Sequence, residues 1–303
     1  MLTVVLGLLG AMTYGVSDFL GGVGSRTARP IVVTAIAAVV GIVPLVAAVP
    51  LLHARFTGHA LLWGSVAGIA GSVGVLLLYA ALAIGPMSVL SPVTSVFAAV
   101  VPVVVGVVAG VRLGPVAIAA IIAAVVAVVL VATSASESST PLTLRGLGIA
   151  AVSGCGFGVL VIAYARTDAA DGIAPLVVAR VIQAIVMWTG VLVVVARSRR
   201  AAAAAPAGAE GSPDRAPLLP VHRRFWVVVV ACGCFDASAN VFIQAALHVS
   251  DDPAALPVVS VLDALYPIGT ILLAAIVLRE RLSRVQVAGL VLGFAASATL
   301  ALA

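Results

Sequence analysis

The 303-residue chain contains no lysine, and only 9% of its residues are charged. Its net charge of +5 comes from 16 arginines against 11 acidic residues. So sparse a charge is not the dense basic surface of a nucleic-acid-binding domain. In an apolar chain it marks the loops that stay on the cytoplasmic side. Cysteine is scarce as well: Cys155, Cys232 and Cys234 all fall in apolar segments, with neither disulfide nor zinc spacing, and read as small packing residues. There is no Gly-rich loop ending in Gly-Lys-Ser/Thr, so nucleotide hydrolysis is not the expected energy source. His-Glu-x-x-His, Gly-x-Ser-x-Gly and Gly-x-Gly-Asp are missing too, which leaves a membrane-embedded enzyme as a remote alternative. No basic run precedes the first apolar stretch, and no cleavage site stands out after it, so it reads as a retained helix rather than a signal peptide.

What the chain has in abundance is apolar length. With 63% hydrophobic residues and a mean hydropathy of +1.28, its solvent is lipid. A hydrocarbon core about 30 Å thick takes roughly 20 apolar residues per helix. Ten such segments fit, at 2–22, 31–51, 61–83, 87–109, 115–133, 146–165, 173–196, 225–247, 255–278 and 285–302. The stretch 197–224 differs from the other breaks. It holds an alanine run, four prolines and mixed charge, and is expected to be a flexible linker.

The chain also matches itself at an offset of 165 residues. Ala80-Ala81-Leu82 returns as Ala245-Ala246-Leu247, Pro92-Val93 as Pro257-Val258, Ser95-Val96 as Ser260-Val261, and Pro102 as Pro267. The expected fold class is therefore an all-α membrane protein of ten transmembrane helices. Its repeats are residues 1–133 and 144–303, separated by the polar stretch around Ser134 to Ser139. Five helices per copy is an odd number, so the second copy enters the membrane from the opposite side and the repeats are inverted. Arginines in the loops after odd-numbered segments number twelve against three, which places both termini outside the cytoplasm. Six of the twelve belong to the linker, and without them the bias falls to six against three.

Further motifs fall in the same frame. Pro257 and Pro267 are followed by Arg279-Glu280-Arg281-Leu282 and then by Gln286-Val287-Ala288-Gly289-Leu290-Val291-Leu292-Gly293. In the first half stand Tyr14-Gly15, Tyr79-Ala80-Ala81-Leu82 and Gly85-Pro86, and Arg180 lies in the second helix of the second half. Together these resemble the EamA-like branch of the drug/metabolite transporter superfamily, over nearly the whole chain apart from the linker. The resemblance implies a ten-helix secondary transporter of the bacterial cytoplasmic (inner) membrane, with both termini in the cytoplasm, opposite to the arginine count. Two departures stand out: segment 4 ends in Gly110-Val111-Arg112-Leu113 without the family's Glu, and segment 2 has no Arg to match Arg180.

Ionisable groups at bilayer depth cost at least about 2.5–3.5 kcal/mol each on insertion scales, so each asks for a reason. The candidates for substrate binding or proton coupling form three stripes and two single residues. Tyr14, Ser17 and Asp18 share a face of segment 1; Asp236, Asn240 and Gln244 step by four along segment 8; Asp263 lies on segment 9 with Ser260, Pro267 and Thr270. Tyr79 and Arg180 complete the set. Under the 165-residue offset Asp236 maps to Gly71, Asn240 to Val75, Gln244 to Tyr79 and Asp263 to Ala98, so the cavity is expected to be chemically lopsided. Three carboxylates against one guanidinium favour an amine-bearing solute, or protons carried on a buried carboxylate; Asp18 or Asp263 pairing with Arg180 is the structural alternative. An amino acid or other carboxylate solute meeting Arg180 is the second reading. Pro92, Pro102, Pro257 and Pro267 are expected to kink segments 4 and 9 as hinges. Gly64 with Gly68, Gly106 with Gly110 and Gly289 with Gly293 are spaced for close helix contact, more within the chain than between copies, so a monomer or weak homodimer is expected. No cofactor and no metal site are expected.

Overall fold

The protein, as a computed structural model, is described over residues 1–85, 87–133, 143–204, 222–249, 254–277 and 283–302. Among these there is no β-strand, and the elements are helices throughout: α1 (Leu2–Ser25), α2 (Pro30–Leu52), α3 (Gly58–Ile84), α4 (Met87–Val108), α5 (Pro115–Thr133), α6 (Leu144–Ala165), α7 (Ala174–Ala204), α8 (Arg223–His248), α9 (Ala255–Asp263), α10 (Tyr266–Val277) and α11 (Arg284–Leu302). A 3-10 turn, Ala169–Asp171, joins α6 to α7. Seven of these helices, α1 to α4 and α6 to α8, are long and apolar enough to cross a bilayer. The chain is a multi-pass membrane protein.

Local chemistry sets the helix ends. Pro30 and Pro115 open α2 and α5 at the first helical position, where no amide is needed. Thr57 and Thr143 cap α3 and α6, accepting the amides of Ala60 at 3.0 Å and Gly146 at 3.1 Å. After α4 the Gly110 amide bonds the Val107 carbonyl and the Val111 amide reaches the Gly106 carbonyl, both at 3.0 Å. This closure places Gly110 at φ 92°, a conformation open to glycine. Of the Gly106–Gly110 pair, then, Gly106 packs, against Pro257, while Gly110 ends the helix.

The bundle is apolar outside and polar inside. Val43, Leu62, Ile69, Ile185 and Leu192 point outward and are more than half exposed, while Ser17, Thr34, Ser72, Thr94, Ser153 and Thr270 are buried. In lipid the outer apolar surface needs no cover, and helices associate through small residues and interhelical hydrogen bonds. Ser17 Oγ donates to the Cys232 carbonyl at 3.0 Å, tying α1 to α8; Ser153 Oγ donates to the Gly74 carbonyl at 2.7 Å, tying α6 to α3. The most extensive packing pairs α1 with α8, α3 with α6, α5 with α11, α4 with α6, α3 with α7, α2 with α7, α2 with α8, and α1 with α10. A Cβ built on Gly68 of α3 would stand 2.6 Å from the Ala179 carbonyl and 2.8 Å from Ile182 Cβ on α7. A Cβ built on Gly233 of α8 would stand 2.5 Å from the Ala37 carbonyl and 3.0 Å from Val40 Cβ on α2.

Two expectations are corrected. Segment 9 is two helices: Ala264 and Leu265 form a turn between α9 and α10, because Pro267 has no amide for the Asp263 carbonyl. α4, by contrast, runs unbroken through Pro92 and Pro102. The linker is also shorter than expected. α7 continues to Ala204 and α8 starts at Arg223, as the high helix propensity of alanine and arginine favours. The rest of the linker, 205–221, lies outside the described residues, as do Pro86, 134–142, Asp251, Asp252 and 279–282.

Candidate functional site

Between α1, α3, α6, α7 and α8 lies a small cavity. From α3 its lining takes Ala67, Gly68, Gly71 and Val75. The other helices contribute Tyr14, Phe157, Tyr164, Arg180, Gln183, Asp236 and Asn240.

The centre of the site is an ion pair between Arg180 of α7 and Asp236 of α8. The Arg180 side chain is 6% exposed and that of Asp236 15%. Arg180 also donates from Nη1 to Gln183 Oε1 at 2.7 Å, one turn along the same helix. Its stem lies against Gly41 of α2, where a Cβ would approach Nε to 3.1 Å and Cδ to 3.3 Å. The guanidinium therefore occupies a notch that any larger residue at position 41 would narrow. Asn240 donates from Nδ2 to the Asp236 carbonyl at 2.8 Å, and its buried Oδ1 has no hydrogen-bond partner. The cavity thus presents one fixed charge pair, one idle acceptor and the aromatic rings of Tyr14, Phe157 and Tyr164.

Of the nine residues expected from sequence, Tyr14, Arg180, Asp236 and Asn240 line this cavity. The other five lie around it. Tyr79 and Ser17 both meet Cys232, with the Tyr79 hydroxyl 3.2 Å and Ser17 Oγ 3.5 Å from its sulfur. Gln244 is one turn further down α8, where Nε2 donates to the Gly172 carbonyl at 2.9 Å in the turn before α7. Asp18 and Asp263 are buried behind the cavity. The expected alternative partners of Arg180, Asp18 and Asp263, are not the ones it takes: the pair forms with Asp236, because α7 and α8 face each other across the cavity. Sequence reasoning missed Gln183, Tyr164, Phe157 and Gly41. The spacing of three between Arg180 and Gln183 was the signal available for one of them.

At one end of the bundle His59, Asp168 and Asp171 bring potential metal-ligand atoms within 4.8 Å of one another. These atoms already have partners. Thr57 Oγ1 donates to Asp171 at 2.9 Å, and Trp63 Nε1 donates to His59 Nε2 at 3.1 Å. With Nε2 accepting, a neutral His59 carries its proton on Nδ1, which lies 3.7 Å from Asp168. The group joins the start of α3 to the α6–α7 turn.

No protein-family model matches the sequence, and no curated protein matches it. The fold is similar to that of a protein solved by crystallography, with a TM-score of 0.71 over 99% of this chain and 96% of the other, at 15% sequence identity.

Proposed function

We propose that the protein is a ten-helix secondary transporter of the cytoplasmic membrane, built as two inverted five-helix repeats, that moves a small amine-bearing metabolite or drug-like solute by alternating access. The observation that carries this reading is the Arg180–Asp236 pair between two membrane-length helices, largely shielded from solvent and lining a cavity that also takes glycine and aromatic residues. An ion pair so shielded in a membrane bundle belongs to a solute or ion path more often than to the scaffold.

The packing supports the repeat. Exchanging α1 with α6, α2 with α7, α3 with α8, α4 with α9 and α10 together, and α5 with α11 converts the set of most extensively packed pairs into itself. Gly68 and Gly233, 165 residues apart, meet their partners Ala179 and Ala37 through the same atoms. These partners are 142 apart, so the second offset is shorter by about the length of the linker. The resemblance to the drug/metabolite transporter superfamily supports the same architecture.

The chemistry follows from the pair. Asp236 offers a carboxylate to a solute ammonium, Asn240 Oδ1 a further acceptor, and Tyr14 and Tyr164 rings on which a cation can rest. Exchange of the solute for a proton across the same path couples solute movement to a proton gradient. Amino acids are the second reading. Both members of the pair line the cavity, so a zwitterion could meet Asp236 with its ammonium and Arg180 with its carboxylate.

The test is flux into liposomes containing the purified protein, using radiolabelled amines, amino acids and sugars with and without a pH gradient. Gradient-driven movement of a cationic solute that is lost in Asp236→Asn agrees with the proposal. Equal flux in both proteins removes Asp236 from the mechanism, and the membrane-embedded enzyme regains its standing if no solute moves.

A further inference from the structure

The turn between α9 and α10 places oxygen atoms where a continuous helix would hide them. The Leu265 amide bonds the Leu262 carbonyl at 3.1 Å and the Ile268 amide bonds the Leu265 carbonyl at 2.9 Å, each reaching back three residues instead of four. Pro267 has no amide at all. The carbonyls of Val261, Asp263 and Ala264 therefore lose the donors that an unbroken α-helix would supply. The side chain at the turn adds to them. Asp263 is 7% exposed, and its Oδ1 has no hydrogen-bond partner.

A second carboxylate is close by. Asp18 is 5% exposed and lies on α1, one turn beyond Gly15, which packs against Tyr266 and Gly269 of α10. Among the described residues neither takes part in an ion pair, and Arg180 is engaged by Asp236 and Gln183. The surroundings are apolar, with Val4, Leu262, Leu265 and Ile268 in one buried cluster. Asp263 at the negative end of the α9 dipole, beside carbonyls without donors, forms a set of hard oxygen ligands with surplus negative charge, to which Asp18 on the packed helix α1 adds a second buried carboxylate. Ends of interrupted helices of this kind hold small cations in other membrane bundles.

We propose that the α9–α10 turn binds a sodium ion, held by Asp263 Oδ1 and the released carbonyls, with Asp18 as the second negative charge. A proton would neutralise one carboxylate but leave the carbonyls without partners; a small metal cation engages both. The site is distinct from the solute cavity, whose lining includes neither Asp18 nor Asp263. It is nevertheless connected to it, since Thr270 Oγ1 of α10 donates to the Gly15 carbonyl at 3.1 Å, next to the cavity residue Tyr14. An ion that fixes the angle between α9 and α10 thereby acts on α1. The inference does not depend on the solute being an amine, nor on transport.

The full-length protein in detergent is titrated with radioactive sodium in choline chloride at constant ionic strength, and its thermal unfolding is followed in sodium, potassium and choline chloride. Saturable binding of one sodium per chain, with a midpoint of unfolding higher in sodium than in potassium, is expected. Asp263→Asn should weaken binding at least tenfold, and Asp18→Asn should weaken it too. If Asp263→Asn does not fold, Asp18→Asn and the wild-type titration decide. Absence of saturable sodium binding by the wild type, equal stabilisation by potassium, or unchanged affinity in the folded variants overturns the proposal. None of these readouts involves solute flux, so the transport reading stands or falls separately.

Discussion

Replacing Asp236 by Asn removes the charge opposite Arg180 and keeps the shape of the side chain. Breaking a buried pair by deleting one partner costs about 3–5 kcal/mol, because the remaining charge is left uncompensated. Two features of this site reduce that figure. The Asp236 side chain keeps 15% exposure towards the cavity, where water can enter, and Arg180 retains Gln183 Oε1 at 2.7 Å. About 2–3 kcal/mol is therefore expected for Asp236→Asn. Arg180→Gln should also destabilise, because Asp236 then faces the cavity alone. The double variant, with two neutral polar groups across the cavity, should lose less than the sum of the singles, with a coupling of about 1–3 kcal/mol. Chemical denaturation of the purified protein in mild detergent, followed by tryptophan fluorescence, gives all four corners of the cycle. Losses that add to within about 0.5 kcal/mol would refute the claim that these two residues hold each other in place.

Gly68→Leu and Gly233→Leu each force a side chain into a backbone carbonyl less than 3 Å away, so each should lower stability by about 1–3 kcal/mol, and by similar amounts. Gly58→Ala, with nothing within 4 Å, is the control, and a large difference between the first two in thermal unfolding would count against the equivalence of their settings. Gly110→Ala meets no neighbour and should lose about 1 kcal/mol through its backbone angle alone, measured in the same assay. Thr57→Ala removes both the α3 cap and the bond to Asp171, for a loss of about 1–2 kcal/mol. Thr143→Ala, which has only the cap bond to Gly146 to lose, should lose about 1 kcal/mol.

The helical spans were legible because lipid demands length and apolarity, and both can be counted along a chain. The interruption at Ala264–Leu265 was foreshadowed by Pro267, but Pro92 and Pro102 carry the same signal inside an unbroken α4, so proline alone does not decide between a kink and a break. The stripe on α8 was legible as a spacing of four, yet it divides in the structure: Asp236 and Asn240 face the cavity, while Gln244 turns to the Gly172 carbonyl. The partner of Arg180 was not legible, since α7 and α8 are separated by the linker and only packing brings Asp236 to it. Phe157 and Gly41 escaped notice for a related reason. In the proposed repeat the linker shifts the offset between the halves, so a search at 165 residues finds α3 and α4 but passes over α1 and α2.

The notch at Gly41 has a meaning for how the two halves came to differ. In the proposed repeat the position equivalent to Gly41 is Gln183, the one equivalent to Gly71 is Asp236, and the one equivalent to Arg180 is Ala38. At these three positions the second half carries a polar arm into the interior where the first half has a residue with little or no side chain, whereas Asn240 and Gln244 stand opposite Val75 and Tyr79. One copy serves as mould and the other as cast, so a duplicated gene could add chemistry to one half only while the other stayed bare. Transplanting the arms to Ala38, Gly41 and Gly71 while stripping them from 180, 183 and 236 would rebuild the same charge pair on the opposite side of the pseudo-axis. If the proposed repeats are inverted and the protein is the proposed transporter, such a chain would have its inside and outside exchanged with respect to the solute.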